Sequence, residues 1–188
     1  LHEWNVDFAA WCGYKYLNGG PGAPSGVFIN QKYLNKINIP RLEGWWGHLK
    51  NKRFESSSSF IPIRTAEAWQ LSNPQILSMT PLISSLKIFY EADITNIVKK
   101  STHLTKYLKL LLKEYLADNI MIITPKHNGA QLSIKLKNYN KDIINELKSN
   151  GVIADLRKPN IIRVAPVPLY NTYQDCYDFT MILKDIIN

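Results

Sequence analysis

Apolar positions from Asp93 onward fall into regular periods. Ile94, Ile97, Val98, Ser101, Leu104, Leu108, Leu111, Leu112 and Tyr115 recur at helical spacing with lysines opposite, which predicts one long amphipathic helix. Ile120 to Thr124 reads as a strand. Gln131 to Leu136 alternates with period two and reads as another, with one face exposed. Asp142 to Asn150 is a short helix stopped by Gly151. Val152 to Leu156 and Ile161 to Ala165 are short strands, and Tyr173 to Ile187 is the last helix. Residues 93–188 therefore read as a small α+β domain, helices packed on an antiparallel sheet.

The first part of the chain is less regular. Val6 to Cys12 is a short apolar run that reads as a buried strand, and Val27 to Ile29 as a second. Between them lies Gly13-Tyr14-Lys15-Tyr16-Leu17-Asn18-Gly19-Gly20-Pro21-Gly22-Ala23-Pro24-Ser25-Gly26. A loop so rich in Gly and Pro follows one fixed backbone path, as a site beside a strand end or as a plain hairpin loop. Residues 31–75 are mostly irregular, and the run Ser56 to Ser59 reads as a mobile loop. A helix follows to about Glu91, with Ser72 or Asn73 as its cap, Pro74 in its first turn and Pro81 as a kink point. The strand at 6–12 belongs to the end of a sheet whose other strands are not in this sequence, so the chain is expected to be the C-terminal part of something longer. The expected organisation is a remnant of a larger domain at 1–75, a connecting helix at 76–92 and the small domain at 93–188.

Composition narrows the classes. Of 188 residues, 45% are hydrophobic and 20% charged, ordinary globular values that exclude global disorder. No apolar run approaches the roughly 18 residues of a membrane span. Leu1-His2-Glu3-Trp4 carries neither the charged nor the apolar region of a signal peptide. A cytoplasmic protein with no membrane partner is expected. Two cysteines, Cys12 and Cys176, exclude a disulfide scaffold, and no Cys/His cluster has ligand spacing, so no metal is expected. The net charge is +8, with an excess at Lys32, Lys36, Arg41, Lys50, Lys52 and Arg53 against Glu43. Without a finger spacing or an aromatic RNA-binding pattern this reads as a solvated surface, and no nucleic-acid partner is expected. A non-catalytic basic binding module stays open as an alternative.

Lys15 lies between two tyrosines, after an apolar strand and inside the glycine-rich loop. A lysine that forms a Schiff base with a cofactor aldehyde needs a setting that favours its neutral form, although a lysine beside tyrosines also simply snorkels. Arg163 is the only charge between Ile161-Ile162 and Val164-Ala165, costly there unless paired, and a guanidinium grips a carboxylate with two parallel bonds. By strand alternation alone it is equally an exposed arginine.

Four segments, in order along essentially the whole chain, resemble the kynureninase family. They are Asp-Phe-Ala-Ala-Trp-Cys-Gly-Tyr-Lys-Tyr-Leu-Asn-Gly-Gly-Pro-Gly-Ala-Pro-Ser-Gly-Val-Phe-Ile at 7–29, Gly44-Trp45-Trp46-Gly47-His48, Trp69-Gln70-Leu71-Ser72-Asn73-Pro74, and Ile162-Arg163-Val164-Ala165-Pro166-Val167-Pro168-Leu169-Tyr170-Asn171. The resemblance implies an α/β architecture, the C-terminal portion of a fold type I pyridoxal-phosphate-dependent transferase fold: the end of the large-domain sheet plus a small α+β domain with an antiparallel sheet. It implies hydrolysis of L-kynurenine, or its 3-hydroxy form, to anthranilate (or 3-hydroxyanthranilate) and L-alanine, with pyridoxal 5'-phosphate as cofactor, in a homodimer.

By the same resemblance Lys15 carries the cofactor and moves a proton at Cα, and Tyr14 serves the substrate ketone and the phosphate. Arg163 takes the substrate carboxylate. Trp45 and Asn73 reach cofactor or substrate across the dimer interface, and His48 lies near the substrate ring. From the residues alone, Tyr14 is packing, Trp45 core, Asn73 a helix cap and His48 structural. The family's first half, which supplies the aspartate at the pyridine nitrogen, the ring-stacking residue and most phosphate ligands, has no counterpart here. An inactive C-terminal fragment is therefore expected. A related enzyme such as a cysteine desulfurase is the remaining alternative, and the tryptophan and Arg163 motifs weigh against it.

Overall fold

A computed structural model describes every residue except Ile37, Ser56, Ser57, Tyr139 and Asn188. The chain divides into two compact units, Leu1–Ile88 and Phe89–Asn188.

In the first unit β1 (Phe8–Trp11) pairs antiparallel with β2 (Gly26–Ile29), Phe8 opposite Ile29 and Trp11 opposite Gly26. The glycine-rich loop joins these two strands, so the first strand finds its partner within this sequence. Nor is β1 buried: Phe8, Ala10 and Trp11 are exposed. An apolar run says that a strand seeks cover, not that the chain supplies it, and a two-stranded ribbon leaves its faces open. Phe8 is partly screened by Tyr33, stacked at 5.0 Å. Asn30 closes the ribbon, its amide donating to the Val6 carbonyl at 2.9 Å.

Short 3-10 turns follow at Gln31–Tyr33, Trp45–Gly47, Lys50–Lys52 and Ala66–Trp69. Half of the serine run, Ser56 and Ser57, lies outside the described residues. Helix α1 (Ile76–Ala92) starts later than its caps suggested. Its first bond runs from the Met79 amide to the Gln75 carbonyl, so neither Ser72 nor Asn73 caps it. Residues 73–75 precede the helix without regular structure, although an asparagine before a proline is itself a good local start signal. The helix continues through Pro81.

The second unit has a conventional core. Helix α2 (Ile94–Leu116) buries Ile97, Leu104, Leu108, Leu111, Leu112 and Leu116 along one stripe, while Ile94 and Val98 stay exposed. Asp93 caps it, its carboxylate accepting the Thr95 amide at 2.7 Å. Strands β3 (Ile120–Ile122), β4 (Leu132–Leu136), β5 (Asp155–Arg157) and β6 (Ile161–Val164) form an antiparallel sheet ordered β3-β4-β6-β5. Leu132, Ile134 and Leu136 turn inward, and Lys135 faces out. Helix α3 (Ile143–Ser149) precedes β5. The strand expected at 152–156 is displaced by the end of α3: Gly151 (φ +80°) and Val152 return amides to Lys148 and Leu147, a closing motif that removes Val152 from any ladder. Helix α4 (Tyr173–Ile187) begins with a reciprocal cap, Asp175 accepting the Thr172 amide at 2.7 Å and Thr172 Oγ1 accepting that of Asp175 at 3.2 Å. Among the described residues no helix is long and apolar enough to cross a membrane.

Cys176 of α4 packs into this core, and burial pushes its thiol up to about 11. Cys12 is exposed. Thiolate, not thiol, reacts. Iodoacetamide at pH 8 is therefore expected to label Cys12 and spare Cys176 in the folded chain, and to label both in denaturant. Equal labelling of the native protein, read by peptide mass, would contradict this packing.

Candidate active site

Tyr14 and Lys15 occupy the tight turn after β1. The turn is closed by the Gly19 amide on the Gly13 carbonyl at 3.0 Å and the Asn18 amide on that of Lys15 at 2.9 Å. Gly13 is required sterically, since a Cβ there would lie 2.2 Å from the Pro24 carbonyl oxygen. The turn rests on α1: Ser85, buried in that helix, donates to the Leu17 carbonyl at 2.7 Å. Gly20 and Gly22 of the loop take positive φ, +76° and +82°, the backbone conformation for which such a loop needs glycine. Lys15 is exposed at its apex, its ammonium 5.3 Å from the centre of the Tyr14 ring. Among the described residues it makes no ion pair. The described residues of this chain thus leave the Lys15 amine exposed beside a phenol.

Trp45 opens the 3-10 turn Trp45–Gly47. Gly44 packs directly on Leu71, where a Cβ would meet the Leu71 Cα at 2.2 Å. The tryptophan pair and the segment leading to Asn73 are therefore neighbours in the fold although far apart in sequence. Trp45 stands edge-on to Trp46, with centroids 5.5 Å apart. The Arg53 guanidinium lies over both rings, at 5.3 Å and 4.5 Å, and donates to the Trp46 carbonyl at 2.5 Å. The sequence reading placed Arg53 among solvated surface charges, whereas it is partly buried against the tryptophan pair. Asn73 is exposed, and with α1 starting at Ile76 it has no capping work.

His48 is different. It is buried, its Nδ1 accepts the Ile61 amide at 3.2 Å, and its ring packs on Phe60. Only Nε2 is left for any ligand. No hydrogen bond, ion pair or ring contact among the described residues joins Lys15 or Tyr14 to Trp45, Asn73 or His48.

Arg163 lies on β6, in the second unit, directly opposite Asp155 of β5. Its Nε donates to Asp155 Oδ2 at 2.8 Å, and its Nη2 contacts the same oxygen. Arg157 Nη2 reaches that oxygen too, at 3.1 Å. The Arg163 guanidinium is the main cause that holds the Asp155 carboxyl below the usual carboxylate range. The charge expected to need pairing on this strand is paired, by Asp155, a residue that the pattern had not singled out. Among the described residues no cluster of His, Cys, Asp or Glu could hold a metal ion.

Residues 97–183 match the family model of the kynureninase C-terminal domain. The kynureninase of Flavobacterium johnsoniae is 45% identical over 190 residues, covering 98% of this chain and 45% of that protein. That of Koribacter versatilis is 48% identical over 182 residues, covering 95% and 43%. The chain matches the C-terminal part of the kynureninases. It spans a little under half the length of these curated relatives. Among solved structures, a cystine C-S lyase in complex with cysteine persulfide superposes with TM-score 0.76 at 14% identity, over 97% of this chain and 47% of the lyase. A variant of that lyase, TM-score 0.73, carries glycine covalently linked to its pyridoxal phosphate cofactor. The fold is that of the C-terminal portion of the fold type I pyridoxal phosphate enzymes. A cysteine desulfurase of Thermococcus onnurineus shares this fold at only 16% identity, against 45–48% for the two kynureninases, so the sequence separates the two families where the fold does not.

Proposed function

We propose that a full-length protein carrying these residues is a kynureninase, a cytoplasmic homodimeric enzyme of tryptophan degradation and NAD biosynthesis. It hydrolyses L-kynurenine or 3-hydroxy-L-kynurenine to anthranilate or 3-hydroxyanthranilate and L-alanine. The observation that carries this reading is identity near 45% to kynureninases across 98% of the chain. Residues 1–75 are then a remnant of the cofactor domain, 76–92 the connecting helix and 93–188 the small domain.

Lys15 holds pyridoxal 5'-phosphate and moves the proton at the substrate Cα. The cofactor, when bound, supplies an electron sink. Arg163 binds the α-carboxylate and fixes which way the side-chain ketone points. The Tyr14 hydroxyl passes a proton to and from that ketone oxygen while water adds and the Cβ–Cγ bond breaks. Trp45 and Asn73 serve the site of the second subunit, as two neighbouring segments of one surface. The buried His48 offers Nε2 toward the aromatic ring of the substrate.

The surface charge fits this reading better than a nucleic-acid one. Lys32 pairs with Asp7, Lys50 with Glu67 and Lys52 with Glu55, and the guanidiniums of Arg41 and Arg53 lie over tryptophan rings. The full-length protein is expected to release anthranilate and alanine from kynurenine. The 188-residue chain alone, without the family's ring-stacking and pyridine-nitrogen residues, is expected to release neither and not to retard DNA or RNA at physiological salt. A full-length protein inert toward both kynurenines would end the enzymatic reading. Tight, salt-sensitive nucleic-acid binding would give the +8 charge a function of its own.

A further inference from the structure

We propose that Asp155 is a positioning residue, holding the Nε side of the Arg163 guanidinium so that its Nη1 end stays open to the substrate carboxylate. This rests on the reading of Arg163 given above.

A guanidinium presents five N–H groups along three edges. Asp155 takes two of them, from Nε and Nη2, and both go to Oδ2 alone. The edge between Nη1 and Nη2 remains for a second carboxylate, approached end-on. Asp155 is able to do this because it is the register partner of Arg163, and directly opposed side chains in an antiparallel pair meet. The carboxylate also separates two cations. Arg157, two residues along the same strand, reaches the same Oδ2, so one carboxylate serves two guanidiniums and the cluster keeps a net positive charge. An incoming carboxylate would neutralise that charge. Without Asp155 the two arginines would face each other unscreened, and Arg163 would turn away from Arg157. The Asp155 carboxyl, held below the usual range by these arginines, stays ionised throughout the neutral range.

The test uses the full-length protein with Asp155→Ala, Asp155→Asn and Arg163→Lys. Two ligands are compared: L-kynurenine, and kynuramine, the same molecule without its carboxylate, as an inhibitor. Asp155→Ala is expected to raise KM for kynurenine about tenfold, the lower range for partners that orient a liganding group, with kcat retained. Inhibition by kynuramine and the cofactor's visible absorbance should not change. Asp155→Asn, which keeps the size and one acceptor oxygen, should give a smaller rise in the same direction. If Arg163→Lys weakens kynurenine alone while the Asp155 variants weaken neither ligand, or both equally, the positioning role is overturned and the role of Arg163 stands. If Arg163→Lys does not discriminate between the ligands, the role of Arg163 falls, and the inference with it.

Discussion

Lys15→Ala in the full-length protein is expected to abolish the visible absorbance of the lysine-linked cofactor and to lower turnover by at least about 10²-fold, the low end for a lost proton-transfer group. The fold should survive. The bonds that close the turn come from backbone atoms of Gly13, Lys15, Asn18 and Gly19, and alanine keeps them all. The contact with α1 runs through Ser85 and Leu17, not through the lysine. Lys15 is exposed and makes no ion pair among the described residues, so its truncation should change stability by no more than about 0.5 kcal/mol. Circular dichroism and thermal midpoint would report the fold, and absorbance the cofactor linkage. A variant that keeps the band would show that another amine carries the cofactor. A variant that loses the band and unfolds would show that the lysine is structural.

Much of the second unit could be read from periodicity, because there the chain supplies its own cover. Leu132, Ile134 and Leu136 alternate and are buried, and α4 runs over the residues its pattern predicts. The first unit was less legible for the converse reason. Its apolar residues, among them Trp4, Phe54 and Leu77, remain exposed in this chain, so the apolar run located β1 but not its exposure. The start of α1 was missed because Asn73 before Pro74 is a sound local start signal that the chain does not use: the first helical bond reaches back only to Gln75.

The site shows the same division. The need for positive φ in the lysine loop, met at Gly20 and Gly22, was legible in its glycines, whereas the role of Lys15 came only through resemblance. Asp155 was invisible for a geometric reason: with a strand drawn at 152–156, its register against 161–165 was not defined. Only after the turn at Gly151 and Val152 is recognised does β5 begin at Asp155 and bring that residue opposite Arg163. Arg53 depended on a fold-back onto the tryptophan pair that no local pattern encodes.

Arg163→Lys in the full-length protein is expected to weaken kynurenine binding while cofactor loading stays normal. Lysine keeps the positive charge, so the change isolates geometry. Its ammonium is a point charge on a flexible stem, with no planar fork to hold one carboxylate from Asp155 and a second from a ligand at once. Breaking a buried, hydrogen-bonded charge pair costs roughly 2–5 kcal/mol, and at about 1.4 kcal/mol per tenfold that is a loss of about 30-fold to a few thousand-fold. Because the ammonium still attracts the substrate and Arg163 is partly exposed, the expected loss lies near the lower figure. It should fall mainly on KM if the carboxylate contact is equal in ground and transition states, and on kcat as well if the contact aligns the ketone for attack by water. The Asp155 carboxyl should also titrate closer to its ordinary value in the variant, because its largest lowering influence is the Arg163 hydrogen bond. Steady-state kinetics gives the first result, and a carbon-13 NMR titration of the side-chain carboxyl the second. Unchanged KM and kcat would remove Arg163 from the substrate site and leave it as a strand residue paired to its neighbour.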